Sequence, residues 1–177
     1  MSTLQPLEEL ERFYETEDPW GYESSPEDTR RREIVLSEIP ARDYARVLDI
    51  GCGHGFVTSR LPGRDILGVD VSERAIEQAR RIARPGLRFA RCSLFELPAL
   101  NEPPFDLVVI TGVLYPQYIG ASAPLVTRLI DAVLAREGIL VSVHISAWTN
   151  IRFPWVRLSE HAYAYHDYVH RLEVYAK

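Results

Sequence analysis

From residue 46 onward, short and almost entirely apolar runs recur along the chain. They are RVLDI at 46–50, DILGVD at 65–70, LRFA at 87–90, FDLVVIT at 105–111 and ILVSVHI at 139–145. Runs of this length and composition are typical of strands buried on both faces of a parallel sheet. The pattern therefore predicts five buried strands.

A last segment, YVHRLEVYA at 168–176, alternates between apolar and polar residues. The alternation predicts a final strand, which we expect to be antiparallel to its neighbours. The stretch between residues 146 and 167 has to supply a helix or loop and any further strand. The sequence therefore leaves open whether a sixth strand is present, shortened or absent.

Amphipathic segments lie before and between the apolar runs. Their periodicity predicts helices over 4–14, 26–39, 72–84 and 122–135, and a shorter helix over 55–61. Strands that alternate with helices indicate an α/β fold with a mostly parallel sheet. We expect a single domain over 1–177, with a helical cover and a connecting loop over 1–45 and the sheet core over 46–177.

The helix over 26–39 has a strong start signal. Ser25 is placed to be its N-cap, and Pro26 occupies the first helical position, where a missing N–H costs nothing. Pro40 is expected to end it, because the residue before a proline disfavours helical geometry.

Composition narrows the choice of partners. The chain has 177 residues, of which 46% are hydrophobic, and a formal net charge of −5 at pH 7. An acidic protein of ordinary globular composition is a poor match for a nucleic-acid polyanion. The basic triplet Arg30, Arg31 and Arg32 is expected to form a solvated helix face.

No apolar run is long enough to span a membrane, and the start of the chain lacks the features of a secretory signal. The two cysteines, Cys52 and Cys92, do not have metal-ligand spacing, so no metal site is expected. We therefore expect a cytoplasmic monomer or homodimer whose partner is a small molecule, not a membrane or a nucleic acid.

The turn after the first strand, DIGCGHGF at 49–56, is rich in glycine. Gly51, Gly53 and Gly55 alternate with other residues there. In open α/β sheets, ligands bind beyond the carboxyl ends of the strands, and glycine lets the backbone approach them closely. This turn is the first candidate ligand site.

Two acids refine that assignment. Asp49 precedes the turn, and Asp70 ends the second strand, where a carboxylate can accept both hydroxyls of a ribose. An adenosine-type ligand is favoured. A nicotinamide dinucleotide is disfavoured, because Phe56 holds the place of the third glycine in its fingerprint. A glycine turn without a ligand stays an alternative.

The stretches VLDIGCGHG, GVDVS and FDLVVITGVLY resemble the successive motifs of class I S-adenosylmethionine-dependent methyltransferases over residues 46–145. The resemblance implies a three-layer Rossmann-like methyltransferase fold and S-adenosylmethionine as cofactor. It implies that Asp49 orients the cofactor's amino group, that Asp70 binds its ribose and that Val71 lies against the adenine. The implied cofactor-binding residues are Asp49, Gly51, Cys52, Gly53, Gly55, Asp70, Val71, Ser93, Leu94 and Thr111.

One position departs from the family pattern. After the third strand the family often has an acid that accepts a hydrogen bond from the adenine amino group, and this chain has Ser93 there. A hydroxyl can also accept that bond. Cofactor binding is therefore expected to survive the exchange.

A narrower resemblance involves both ends of the chain. DPWGYESSPED followed by an arginine-rich helix, together with VLY after the fourth strand, is similar to the nodulation-type N-methyltransferases, which act on the amino sugar of a chitin oligosaccharide. It implies methyl transfer to a nitrogen or oxygen of a small, polar, sugar-like acceptor. The alternatives are a non-catalytic protein that binds S-adenosylmethionine or S-adenosylhomocysteine, and an NAD-dependent oxidoreductase.

Three residues are the candidates for acceptor chemistry. Tyr115 follows the fourth strand, in a loop that borders the methyl group in the family, and His144 ends the fifth strand, where it could act as a base. Trp20 lies in the loop at 17–25, which we expect to cover the methionine end of the cofactor. The alternative for Trp20 is that it anchors the first two helices to the core.

Residues in this loop and at the end of the preceding helix offer further acceptor contacts. Tyr14 and Tyr22 would wall the acceptor site beside the tryptophan, and Asp18 or Glu17 could hydrogen-bond a polar or amino acceptor. His54, inside the glycine turn, is expected to point to solvent.

Overall fold

The centre of the fold is a seven-stranded sheet. The structure, a computed structural model, describes residues 4–19 and 21–177. The strands are β1 Arg46–Ile50, β2 Asp65–Asp70, β3 Leu87–Arg91, β4 Phe105–Thr111, β5 Leu134–Ile145, β6 Val156–Tyr165 and β7 Tyr168–Ala176. They lie in the order β3-β2-β1-β4-β5-β7-β6.

Strand direction divides the sheet into two parts. Strands β1 to β5 pair in parallel, whereas β7 pairs antiparallel with both β5 and β6. The chain order reverses between β1 and β4, so the connections that follow these strands separate and leave a crevice at their carboxyl ends. The predicted α/β fold, with a mostly parallel sheet and an antiparallel last strand, is confirmed.

Helices cover both faces of the sheet. They are α1 Leu7–Phe13, α2 Pro26–Glu38, α3 Glu73–Arg80, α4 Pro116–Ile119 and α5 Ala123–Val133. Val35 of α2 and Ile76 of α3 pack in one core, and Val126 and Ile130 of α5 pack in the other. The result is the expected three-layer arrangement.

Helix α2 begins and ends as its sequence predicts. The Ser25 side chain accepts a hydrogen bond of 3.1 Å from the backbone N–H of Asp28, with Pro26 at the first helical position. Ile39 leaves helical geometry directly before Pro40. This local signal fixes where the inward face of α2 begins.

Several predicted helices are shorter than expected. The segment 55–61 forms only one 3₁₀ turn, Thr58–Arg60, because it is too short to repay helix nucleation and Pro62 prevents its extension. Helix α1 begins at Leu7, after Pro6, and α3 ends at Arg80, ahead of Pro85. Gln5, the residue before Pro6, is biased away from helical geometry, which explains the late start of α1.

The sixth strand, whose presence the sequence left open, is present at full length. Strand β6 has ten residues and forms a hairpin with β7 through a turn at His166, whose φ is 48°. It is an edge strand with apolar residues such as Leu158 exposed, so it lacks the alternation that marks a half-buried strand.

Strand β5 begins earlier than its apolar run. Leu134 pairs with Phe105, and after an irregularity Ile139 pairs with Leu107. Glu137, with φ 64°, lies in this irregularity. The predicted helix over 122–135 accordingly ends at Val133.

In the described part of the chain, every helix is too short or too polar to cross a lipid bilayer.

Replacing Ser25 by alanine should lower the free energy of unfolding by about 1 kcal/mol, because the N–H of Asp28 loses its capping acceptor. Urea denaturation followed by circular dichroism measures the loss. Ser37→Ala is the matched control: its hydroxyl bonds only to the Ile34 carbonyl within the same helix, so little change is expected. Equal stability of Ser25→Ala and the wild-type protein would contradict the assigned cap.

Candidate functional site

A cavity of about 330 Å³ lies at the carboxyl ends of the parallel strands. This volume is within the range of small-molecule sites. The cavity is lined by every residue that the family resemblance assigned to the cofactor except Gly55, namely Asp49, Gly51, Cys52, Gly53, Asp70, Val71, Ser93, Leu94 and Thr111. The crevice predicted from strand order and the residues predicted from motifs therefore coincide.

The glycine turn forms one wall of this cavity. The backbone N–H groups of Gly51 and Cys52 both donate to the carbonyl of Val69, at 2.8 and 3.0 Å. Gly51 has φ 76°, and a Cβ there would lie 2.2 Å from Cγ2 of Val113. A side chain at this position would clash within the wall itself.

Gly53 borders the open space. Its φ is 54°, and a Cβ on it would lie 2.9 Å from the Tyr14 hydroxyl. Gly55 has a different role, because a Cβ there would meet Ile82 and Phe89 at 2.9 and 3.0 Å. Gly55 lets the turn pack against the side chains of Ile82 and Phe89, whereas Gly53 keeps the cavity open.

Asp70 holds the turn in place. Its Oδ2 accepts a hydrogen bond from the N–H of Gly53 at 2.9 Å, and its Oδ1 accepts one from the N–H of Ser72 at 3.0 Å. Burial raises the pKa of Asp70, although these backbone hydrogen bonds oppose the rise. The carboxylate thus joins the end of β2 to the glycine turn.

Asp49 is the more isolated of the two acids. It is 1% exposed, and its Oδ2 accepts a 2.6 Å hydrogen bond from the Thr58 hydroxyl. Its Oδ1 has no partner among residues 4–19 and 21–177. Burial raises the pKa of Asp49 to about 7, against the Thr58 hydrogen bond and with a smaller contribution from the charge of Asp70.

Ser93 lines the cavity and also caps a helix. Its hydroxyl accepts from the N–H of Phe95 at 3.2 Å, and Glu96 accepts from the N–H of Ser93 at 3.1 Å. The 3₁₀ helix Leu94–Leu100 therefore starts with a capping box. A hydroxyl oxygen has two lone pairs, so one stays available to a ligand.

Helix α1 closes another side of the cavity. Leu7 and Leu10 line the space, yet α1 contains no buried residue. Its Glu11 accepts hydrogen bonds from the Glu73 N–H and the Ser72 hydroxyl at 2.8 and 2.9 Å. The sequence predicted this helix and its apolar stripe, but not the surface that the stripe covers.

The end of α1 and the loop at 17–25 place aromatic side chains at the cavity. Tyr14 and Tyr22 line it, as expected. Asp18 does not line the described cavity, and its two oxygens accept hydrogen bonds from Tyr22 N and Glu23 N at 2.8 and 2.9 Å. Glu17 points outward and pairs with Arg81.

Trp20, the central residue of the predicted lid, lies outside the described residues. Its two proposed roles, as a wall of the acceptor site or as an anchor for the helices, therefore stay predictions.

His54 does not point to solvent. Its side chain is 11% exposed, it lines the cavity, and its Nε2 lies 3.6 Å from Oε1 of Glu23. Its ring centroid is 6.0 Å from that of Tyr22. The glycine turn and the loop at 17–25 thus meet at this histidine.

Tyr115 and His144 lie together, but neither lines the described cavity. The Tyr115 hydroxyl accepts a 2.9 Å hydrogen bond from the N–H of Ile145, and the two aromatic rings meet edge to face at 5.6 Å. Nδ1 of His144 lies 3.1 Å from the Ser142 hydroxyl. Burial, together with the nearby Arg171 and His170, lowers the pKa of His144 to about 3, so the ring is neutral at pH 7.

Arg31 is the residue that sequence reasoning missed. It was expected on a solvated helix face, but its side chain is buried and lines the cavity. Its neighbour Arg30 is the exposed residue. Three consecutive arginines gave no signal for which one turns inward.

Comparison with known families gives a match over most of the chain. A family model described as a methyltransferase domain matches residues 42–173. Trans-aconitate 2-methyltransferase of Methylobacterium nodulans is 37% identical over 108 residues, which are 58% of this chain and 40% of that protein. Malonyl-[acyl-carrier protein] O-methyltransferase of Enterobacter lignolyticus is 32% identical over 81 residues, which are 45% of this chain and 32% of that protein. The chain spans less than half the length of these curated relatives.

Solved structures share the whole fold. The N-methyltransferase NodS from Bradyrhizobium japonicum WM9, in complex with S-adenosyl-L-homocysteine, superposes with a TM-score of 0.80 at 20% identity and covers 97% of both chains. An S-adenosylmethionine-dependent methyltransferase from Mesorhizobium loti gives a TM-score of 0.66 at 16% identity, over 89% of this chain and 100% of that one. At these identities the likeness concerns the fold. Together with the family match, it shows that this chain belongs to the methyltransferase domain family and has the fold that its resemblance to class I S-adenosylmethionine-dependent methyltransferases implied.

Proposed function

We propose that this protein transfers the methyl group of S-adenosylmethionine to an oxygen or nitrogen of a small polar acceptor. The observation that carries the proposal is the free Oδ1 of Asp49, a buried carboxylate oxygen at the wall of the cavity. A buried acceptor without a donor is costly unless a ligand supplies one. The amino group of the cofactor is such a donor.

The other lining residues fit the rest of the cofactor. Each Asp70 oxygen accepts one backbone hydrogen bond and keeps lone pairs for a ribose hydroxyl. Val71 and Leu94 offer apolar surface for the adenine, and Ser93 keeps an acceptor lone pair for its amino group. Gly53, without a Cβ, leaves the room that the methionine part needs.

Catalysis in this arrangement depends on enclosure and positioning. When bound, the cofactor supplies a methyl group that its sulfonium has already activated. The protein has to hold the acceptor in line and exclude water. Helix α1 and the aromatic rings of Tyr14 and Tyr22 cover the cavity and would do both.

We infer positioning roles for Tyr115 and His144. The Tyr115 hydroxyl fixes the connection after β4 to the end of β5, and the His144 ring packs against it. With a pKa of about 3, His144 is a weak base at pH 7. Base catalysis by His144 is therefore not part of the proposal. Contact between Trp20 and the acceptor is part of it.

Two acceptor classes have support. The relatives are named for trans-aconitate and for a malonyl group, which are organic acids, whereas the nodulation-type resemblance favours a sugar-like amine. A carboxylate with a pKa of about 4 is already ionised at pH 7 and needs no base, whereas an ammonium with a pKa near 10 does. His54 is the histidine that lines the described cavity and would serve an amine.

We infer a cytoplasmic location on the basis of the cysteines. Cys52 and Cys92 are both free thiols and both buried, which suits a reducing compartment.

Calorimetry and a transfer assay test the proposal together. We expect S-adenosylhomocysteine to bind and NAD not to bind, and we expect labelled methyl groups to pass from S-adenosylmethionine to an acceptor in a panel of trans-aconitate, malonate and glucosamine. Preference for NAD would contradict the proposal outright. Tight binding of S-adenosylhomocysteine without transfer to any acceptor would favour the non-catalytic alternative.

Asp70→Asn should weaken the binding of S-adenosylhomocysteine by about 10- to 100-fold, because a charge-assisted hydrogen bond contributes about 1.5–3 kcal/mol. It should also lower stability, since the carboxylate holds the N–H groups of Gly53 and Ser72. Asp65→Asn, at the other end of β2, is the control and should leave the affinity unchanged. Calorimetry measures both, and a normal affinity in folded Asp70→Asn would place the ribose elsewhere.

Cofactor affinity should fall as the pH drops below 7. Asp49 has a pKa of about 7 in the free protein, and an ammonium ligand binds its ionised form and lowers that pKa. Below pH 7 the dissociation constant should therefore rise towards about tenfold per pH unit. Calorimetry at several pH values measures this slope, and Asp49→Asn should abolish it. A dissociation constant of the wild-type protein that stays constant from pH 6 to pH 8 would contradict the role of Asp49.

The same pKa has a consequence for stability. Because the folded-state pKa of Asp49 lies above the ordinary value of 3.8, its contribution to the stability of the free protein is full below about pH 4 and is lost as the pH rises through 7.

A further inference from the structure

Arg31 is a buried cation at the cavity wall. It is 9% exposed, and it lines the same cavity as Asp49 and Asp70. Arg32, one position on, lies over the Phe56 ring at 4.1 Å and donates to the Phe56 carbonyl at 3.4 Å. Of the three consecutive arginines, Arg31 is thus the one that presents its guanidinium to the interior of the site.

The guanidinium is held rigidly. Its Nε donates to Oδ1 of Asp28 at 3.2 Å, and its Cζ lies 4.8 Å from the ring centroid of Tyr22 and 5.1 Å from that of Tyr165. Tyr165 in turn donates to the same Asp28 oxygen at 2.5 Å. A planar cation fixed by two rings and a carboxylate has little rotamer freedom left to lose when a ligand binds.

The charge of Arg31 is only partly compensated. Among the residues that the structure describes, Asp28 is the one carboxylate within 4.0 Å of it, and Asp28 shares its charge with the Tyr165 hydroxyl. Asp28 also contacts the guanidinium through Nε, not through its two terminal nitrogens. Those two nitrogens form the edge that matches a carboxylate with two parallel hydrogen bonds. The Tyr22 side chain also hydrogen-bonds Arg31, so a bound carboxylate would join an arginine that already has two protein partners.

Two further polar groups, both near enough to feel the charge of Arg31, have no partners in the described chain. The Tyr163 hydroxyl and Nδ1 of His170 are buried, and neither has a hydrogen-bond partner in the ranges 4–19 and 21–177. The His170 ring centroid is 4.9 Å from that of Tyr165 and 5.6 Å from that of Tyr163. Burial and the charge of Arg31 lower the pKa of His170 to about 4, so its ring is neutral at pH 7.

These observations point to one kind of ligand. A fixed cation beside neutral hydroxyl and imidazole groups, with no second carboxylate near it in the described chain, is a site that an anion completes. We propose that Arg31 is the specificity residue of the acceptor site and binds a carboxylate group of the acceptor through its two terminal nitrogens. This inference rests on the proposed function and names the acceptor class for it: small organic acids.

The competing explanation is purely structural. In that case the Arg31–Asp28 pair only ties α2 to β6 through Tyr165, and removing it destabilises the fold without any effect on ligands. Stability measurements alone cannot separate the two explanations. The decisive quantity is the affinity for anions of a protein whose cofactor site is already filled.

The test saturates the protein with S-adenosylhomocysteine and then titrates it with small-molecule probes, and NMR monitors the binding. The probes are malonate, trans-aconitate, inorganic phosphate and glucosamine at millimolar concentrations. We expect both carboxylates to bind, glucosamine not to bind and phosphate to bind more weakly than malonate. Arg31→Gln should weaken malonate binding by about tenfold or more, because malonate loses a charged hydrogen-bond donor. Arg30→Gln, on the exposed face of α2, should leave malonate binding unchanged.

A second variant protects the test against misfolding. Arg31→Lys keeps the charge but loses the paired donors, so we expect it to weaken malonate binding several-fold without any change in affinity for S-adenosylhomocysteine. The inference would be overturned if the wild-type protein did not bind carboxylates. It would also be overturned if both Arg31 variants bound malonate as tightly as the wild-type protein does. Tighter binding of phosphate than of malonate would overturn the assignment to carboxylates.

The two proposals fail in different ways. If the wild-type protein does not bind S-adenosylhomocysteine, the proposed function is wrong. If S-adenosylhomocysteine binds normally and the carboxylates do not, only the role of Arg31 is wrong.

Discussion

The hydrogen bonds between the glycine turn and the end of β2 are the constraint on which the site depends. The Val69 carbonyl accepts from Gly51 and Cys52, and the Asp70 carboxylate accepts from Gly53. They hold the turn in positive-φ geometry, which glycine adopts at little cost. Because the connections that follow β1 and β4 separate at this edge, the turn closes one side of a crevice that the strand order has already opened. The cavity is thus a consequence of topology and of a few backbone donors.

That arrangement buries the carboxyl groups of Asp49 and Asp70, and burial disfavours their ionised forms. Burial raises the pKa of both Asp49 and Asp70, and that of Asp49 to about 7. Neither acid forms an ion pair with a lysine or arginine in the described chain that could offset this cost. Acids with raised pKa values in a cleft are typical of functional sites, because a ligand removes the penalty. In the proposed function, the stability given up at Asp49 would be recovered as cofactor affinity, and cofactor binding would then be sensitive to pH.

What the sequence predicted correctly is what local signals determine. Continuous apolar runs specify β1, β2 and β4, Ser25 specifies the start of α2, and the glycine and acid motifs locate the cavity lining. The failures involve contacts between distant parts of the chain. Tyr165 and Asp28, which fix Arg31, are 137 positions apart, and β6 is an edge strand whose exposed face carries no alternation. Burial of one arginine among three follows from tertiary packing, which no local pattern encodes.

The distribution of charge along the cavity connects enclosure with the choice of acceptor. Its walls carry the acids Asp49 and Asp70 and the cation Arg31, so a cationic cofactor and an anionic acceptor would each find a complementary wall. Methyl transfer from a sulfonium to a carboxylate cancels two charges, whereas transfer to a neutral amine only moves one. Attraction between opposite charges is stronger at low dielectric, and a reaction that cancels charge is favoured when water is excluded. A cover such as α1, held by Glu11 and lined with Leu7 and Leu10, therefore benefits an acidic acceptor more than a neutral one.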